Sequence, residues 1–203
     1  MGKRNQKKAN GAGVYWVRAA VILLIIYVAK LTISYCSSVY YDREALYQGA
    51  LNCSLQVLRK HGVDHWLQNG TLLGSTRLGR LVLWDADLDI GFVRSESNEK
   101  HGALLQDLDS VCFGPRSDFI LGAKYPLKIY RKCNERICAE FYEALVKDGS
   151  VITSDGISSQ RELFPLKNCT VANIIAQCPH NSSFYLKEAY GNEWLTASLL
   201  DLF

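Results

Sequence analysis

Residues 68–93 read QNGTLLGSTRLGRLVLWDADLDIGFV, and the rest of the chain is interpreted outward from them. Residues 87–93 alternate as a strand does: Leu88, Ile90 and Phe92 on one face, Asp87, Asp89 and Gly91 on the other. Two carboxylates projecting side by side repel each other, and a divalent cation between them relieves the repulsion. A donor set made of oxygen alone favours Mg²⁺ or Mn²⁺ over zinc. Asp85 extends the alternation by one step. Gln68-Asn69-Gly70 reads as a tight turn, because Asn-Gly tolerates positive φ. A short helix over 71–76 would place Gly74-Ser75 at its tip, where backbone N–H groups can approach an anionic phosphate. Two plainer readings compete. Acids often line a solvated strand face, although the upstream Gly-Ser and the apolar interleaving weigh against that here. Asp85, Asp87 and Asp89 with Glu96 also imitate a calcium loop of the EF-hand type, but Gly91 falls at loop position seven instead of six.

Working outward, Asp42 is a candidate cap for a helix over 42–60, with Leu46, Ala50, Cys53 and Val57 at helical spacing. A strand is expected over 63–67, an extended segment over 81–84 and a helix over 98–108. Further strands are expected over 119–121, 127–131 and 137–146. Lys147-Asp148-Gly149 is a turn across which 151–153 can pair back. Residues 154–180 read mostly as loop. A last helix spans 181–190, with Gly191 just past its end. This mixture predicts an α/β or α+β domain. Trp66 and Trp84 flank the acidic stretch and are better suited to packing than to stacking on a ligand. Lys124, Lys128, Arg131 and Lys132 form a basic run, which either attracts an anion or lies on a solvated strand face.

The chain has 203 residues, enough for one domain with a proper core. Of its 23 Lys and Arg, six lie in residues 1–35, which hold no acid; the remainder carries 17 against 20 acids. The body is therefore mildly acidic, which argues against nucleic-acid binding as its main role. The apolar run 19–29 and its flanks suggest a cytoplasmic tail over 1–13, a transmembrane signal anchor over 14–36, a stem over 37–41 and a lumenal domain over 42–203. A cleaved signal peptide is the rival; no small-x-small cleavage site follows the run. The short, Tyr-containing segment suits a thin, early secretory membrane. Sequons at Asn52, Asn69, Asn168 and Asn181 agree with a lumenal body. Six of the seven cysteines follow Cys36. Six thiols allow fifteen connectivities, with Cys133–Cys138 and Cys169–Cys178 as the local candidates. A zinc site using Cys178 and His180 is poorly spaced.

The order apolar-Gly-Ser, eleven residues, then Asp-apolar-Asp-apolar resembles the signature of the nucleotidyltransferase-like superfamily. That resemblance implies a third carboxylate on a later strand. Glu140 suits the role, because it alternates against Ile137, Ala139 and Phe141. Residues 65–74, Arg77-Leu78-Gly79 and residues 84–90 further resemble the LicD family, which includes bacterial phosphocholine transferases and animal fukutin and fukutin-related proteins. Residues 139–142, 163–166 and 184–191 extend the resemblance more weakly. It implies a nucleotidyltransferase-like mixed sheet flanked by helices, here preceded by the transmembrane helix. It implies catalytic Asp85, Asp87, Asp89 and Glu140, with Asp87 and Asp89 holding Mg²⁺ or Mn²⁺. Gly70, Thr71, Gly74, Ser75 and Arg77 would bind the donor. The implied reaction moves a substituted phosphate, such as phosphocholine or ribitol phosphate, from a CDP-linked donor to a hydroxyl of a glycan or glycoprotein acceptor, in the Golgi or ER. Ala86 and Glu140 stand where the family often or usually has Asp. They favour the competing reading, a membrane-tethered, non-catalytic or glycan-binding module of the same fold. A phosphate-ester hydrolase using water as acceptor is a further rival.

Overall fold

The computed structural model describes the backbone of all residues except 1–3, 83, 84, 86, 96, 115–118, 121–126, 135, 155 and 197–203, and the side chains of the described residues except 4–20, 33–41, 119 and 120. One helix, α1, runs Arg4–Lys60. It passes through Asp42, which therefore caps nothing, and ends at Lys60 as expected. The chain divides into two compact units, Met1–Arg43 and Glu44–Phe203. Among the described residues no helix is long and apolar enough to cross a membrane. Side chains 14–20 and 33–36 of the expected anchor lie outside the described residues.

In the second unit, the end of α1 buries Tyr47, Leu51, Leu55 and Leu58, with Ala50 and Val57 beside them. The buried stripe is rotated from the one expected: Leu46 is exposed and Cys53 forms a disulfide with Cys112. Helical periodicity alone leaves two overlapping stripes open here, and the bulkier one faces the core.

Seven strands form one mixed sheet: β1 His65–Leu67, β2 Asp87–Val93, β3 Phe119–Ile120, β4 Ile129–Cys133, β5 Cys138–Lys147, β6 Ser150–Thr153 and β7 Ile157–Ser159. The order is β1-β2-β5-β4-β3, with β6 on the far half of β5 and β7 on β6. Only β2 and β5 run parallel. Their connection includes helix α3, Asn98–Asp107, capped by the Ser97 side chain and continued by a π-helical turn over Leu108–Phe113. Leu88, Ile90 and Phe92 of β2 join Ala139 and Phe141 of β5 in the main core with α1, α3 and the π-helical turn. This burial on one face obliges Asp87 and Asp89 to the other.

The segment 154–180, expected to be mostly loop, is largely ordered. It holds β7, helix α4 Gln160–Leu163, and the hairpin β8 Lys167–Val171 with β9 Ile174–Cys178. Its two-residue turn, Ala172-Asn173, has positive φ at both positions. That geometry favours Asn-Gly, and Ala at the first position hides the hairpin from sequence reading. The Cys169–Cys178 bridge staples it, and Cys133–Cys138 closes the β4–β5 turn. Cys178 is thus oxidised and unavailable to zinc beside His180. Helix α5, Ser182–Tyr190, starts at Asn181, whose side chain accepts from the Phe184 N–H. Helix α2, Asn69–Leu78, begins earlier and ends later than expected. In the extended 81–84 segment, Leu83 and Trp84 lie outside the described residues.

Candidate functional site

The parallel pairing of β2 with β5 sets Asp89 opposite Glu140 and Gly91 opposite Tyr142. One oxygen from each of Asp85, Asp87 and Asp89 lies within 4.8 Å of the others. Asp89 is buried and held on all sides. The Gly70 N–H donates to its Oδ2 at 3.0 Å, and its own N–H donates to Thr71 Oγ1 at 2.8 Å. The Tyr142 hydroxyl lies 3.1 Å from Asp89 Oδ1 and 2.7 Å from Glu140 Oε2. Arg131 on β4 spans the cluster's edge, with Nη1 2.9 Å from Glu140 Oε1 and Nη2 3.3 Å from Asp87 Oδ2.

This crowding has an electrostatic signature. Burial, followed by the charges of Asp85 and Asp87, raises the Asp89 carboxyl well above the ordinary aspartate range. Burial raises Glu140 as well; the Tyr142 hydrogen bond opposes that, and the Asp87 charge adds to it. The Tyr142 and Tyr190 phenols are pushed upward by burial and then by Asp89. Three carboxylates converging through oxygen alone, one of them buried at a cost in charge, fit a hard divalent cation such as Mg²⁺ or Mn²⁺. Asp85, Asp87 and Asp89 would hold it, with Glu140 adjoining.

The expected donor residues divide into two groups. Gly70 and Thr71 open α2 and touch Asp89. Gly74 and Ser75 do not sit at the helix tip; they lie further along α2. A Cβ at Gly74 would come 2.6 Å from the Arg80 carbonyl oxygen. Ser75 Oγ donates to the Thr170 carbonyl at 3.1 Å, and Arg77 donates to the Trp194 carbonyl at 3.1 Å. Small residues suit close packing and phosphate approach equally, so the sequence alone does not separate the two uses. Trp66 is packed in a second core with Ala144, Val151 and Leu163. Trp84 and Ala86 lie outside the described residues, as do Lys124 and Glu96. Of the basic run, Lys132 is fully buried against Asp109, Lys128 is exposed, and Arg131 reaches the acids.

Sequence reading missed the aromatic half of the site. A cleft of about 510 Å³ opens beside Asn69 and Tyr142, with Ile129, Phe184, Tyr185 and Tyr190 among its walls. Tyr142 stands two residues from Glu140 and so shares its face; that alternation was the available signal. Asn69, a sequon residue, is half-buried here and its side chain bonds Tyr142.

An α/β domain that gathers carboxylates from two parallel strands against a helix N-terminus has the site of a nucleotidyltransferase-type fold. The family model described as "LicD/FKTN/FKRP, nucleotidyltransferase domain" matches residues 62–181, more than half of the chain, and the chain belongs to that family. An uncharacterized protein, RT0683 of Rickettsia typhi, is 28% identical over 144 residues, covering 68% of this chain and 43% of that protein. The ribitol 5-phosphate transferase FKRP of mouse and of human is 49% identical over 35 residues, 17% of this chain and 7% of that protein. The chain thus spans less than half the length of these curated relatives. A crystal structure of ANT(2")-Ia with adenylyl-2"-tobramycin superposes at TM-score 0.46 and 15% identity, over 64% of this chain and 66% of that one.

Proposed function

We propose that this domain transfers a substituted phosphate from a CDP-linked donor to a glycan hydroxyl, using a divalent cation at Asp85, Asp87 and Asp89. The convergence of the three aspartates, with Asp89 raised by burial and by its neighbours' charges, carries the reading. The name of the matched mouse and human relatives, ribitol 5-phosphate transferase, supports the reaction class. A bound cation supplies charge neutralisation for the diphosphate and for the leaving nucleotide. Gly70 and Thr71 hold Asp89 in place. Glu140, raised by burial, takes the proton of the acceptor hydroxyl as that oxygen bonds to phosphorus and the bond from phosphorus to the nucleotide breaks. Asp87→Asn should lower turnover on the order of a thousandfold. Undiminished turnover in a screen of CDP-linked donors with Mn²⁺ would refute the assignment.

One observation favours a non-catalytic module instead. Arg131 pairs with both Asp87 and Glu140, so a cation of the protein's own offsets part of the acidic charge. Thermal stabilisation separates the two readings: Mn²⁺ and CDP together raise the melting temperature of an enzyme, and neither stabilises a module that has lost the site.

The same proposal includes a membrane tether over 14–36 in the Golgi or ER, with the body lumenal. The exposed apolar run Val21–Val28 and three disulfides support it. Release of the full chain from microsomes by alkaline carbonate would contradict the tether.

A further inference from the structure

Two adjoining rows of the sheet differ in charge. In the first, Arg131, Glu140 and Asp89 oppose one another across β4, β5 and β2. In the next row, two residues along, stand Ile129, Tyr142 and Gly91. Ile129 and Tyr142 also line the cleft; among the described residues no lysine or arginine lines it and its one carboxylate is Glu188. We propose that the two substrates approach from opposite ends of this gradient: the phosphate-bearing donor over the Arg131 row, and an uncharged, hydroxyl-rich acceptor in the cleft.

The inference rests on the transfer reading above and adds to it which ground each substrate occupies. A diphosphate in the cleft would lose its hydration against aromatic walls and the Glu188 carboxylate, with no cation in return. A sugar fits the same walls. Its C–H face packs on the rings of Phe184 and Tyr190, and its hydroxyls meet the polar groups of Gln68, Ser158 and Glu188. The volume falls within the range of about 300–1,000 Å³ usual for small-molecule sites. At the other row, Arg131 carries five N–H donors. Its contacts with Glu140 and Asp87 leave donors over for a phosphate, whose oxygens match the planar fork. Tyr142 joins the rows, since its ring borders the cleft while its hydroxyl touches Asp89 and Glu140. An acceptor hydroxyl in the cleft is thereby delivered to the acids from the side away from Arg131.

The test uses the full chain. CDP binding with Mn²⁺ is measured by calorimetry, and binding of a panel of neutral disaccharides by saturation-transfer NMR. Arg131→Gln should weaken CDP at least about tenfold and spare the disaccharides, with Arg131→Lys recovering part of the loss. Phe184→Ala, and Glu188→Ala at the exposed rim where folding is not at stake, should do the reverse. Unchanged melting temperatures exclude a folding defect. The inference is overturned if the cleft variants weaken CDP and spare the sugars, or if no disaccharide receives saturation from the wild type. Either result leaves the transfer reading intact. Absence of any Mn²⁺-dependent CDP binding to the wild type would remove both.

Discussion

Asp89 and Glu143 sit on opposite faces of the same sheet and solve the burial of a carboxylate in opposite ways. Asp89 is crowded by other acids and raised. Glu143 is surrounded by donors: His101 Nε2 at 2.9 Å, the Tyr130 hydroxyl at 3.0 Å and the Lys128 N–H at 2.7 Å. Burial raises Glu143, but those hydrogen bonds outweigh it and leave its carboxyl below the usual 4.5. A carboxylate lowered on folding stabilises the protein above its unfolded value, and that contribution is lost as pH falls through the folded value. Glu143→Gln should therefore destabilise at pH 7, by about 1.5–3 kcal/mol for the hydrogen bonds to a charged acceptor that it weakens, and the gap between variant and wild type should narrow as pH falls below 4.5, as read by urea titrations across pH. Glu143 supports structure, which its sequence neighbourhood does not reveal. Asp87 and Asp89 were legible because Leu88 and Ile90 fix the face they occupy. Gly91 carries a different constraint. A Cβ there would overlap the Trp66 indole, so Gly91→Ala should destabilise by about 1–3 kcal/mol through overpacking, measured by thermal melting. Sequence reading places Gly91 on the acidic face and Trp66 in packing, but their contact needs the antiparallel register of β1 and β2.

At the scale of elements, β2, α5 and the β5–β6 hairpin were readable because each combines clear periodicity with a turn or cap. Asp148 and Gly149 carry the positive φ that the hairpin requires. The β8–β9 hairpin was not readable, since its strands are half-exposed and its turn lacks the usual residues. The π-helical turn was also hidden, because nothing in 98–113 marks where the helical pitch loosens. That turn is tied to α1 by Cys53–Cys112, a bridge between residues 59 apart. Removing it with the double change Cys53→Ser and Cys112→Ser should cost about 2–4 kcal/mol, read from denaturant unfolding. Asn69, at the first position of α2 and against Tyr142, should carry no glycan, because one there would fill the cleft. Glycopeptide mapping of the full chain isolated from secretory-pathway membranes checks this. An occupied Asn69 would contradict the placement of the acceptor as well.

At the scale of the whole molecule, Glu44–Phe203 forms one compact unit with its own core and all three disulfides. A fragment spanning 44–203, made under oxidising conditions, should melt cooperatively and retain near-ultraviolet circular dichroism. Strand β5 runs through its centre and carries the acid and phenol of the reactive face, Glu140 and Tyr142, on alternate residues, with Ala139, Phe141 and Glu143 on the other face. A slip of one position would exchange the two sets. Cys138 opens this strand and is bonded to its register partner Cys133. The covalent clasp therefore works as an alignment pin: in a thiol-rich milieu the strand would lose its latch at the end nearest Glu140, and any slip there would carry the reactive face and the Ala139–Phe141 side of the interior out of phase together.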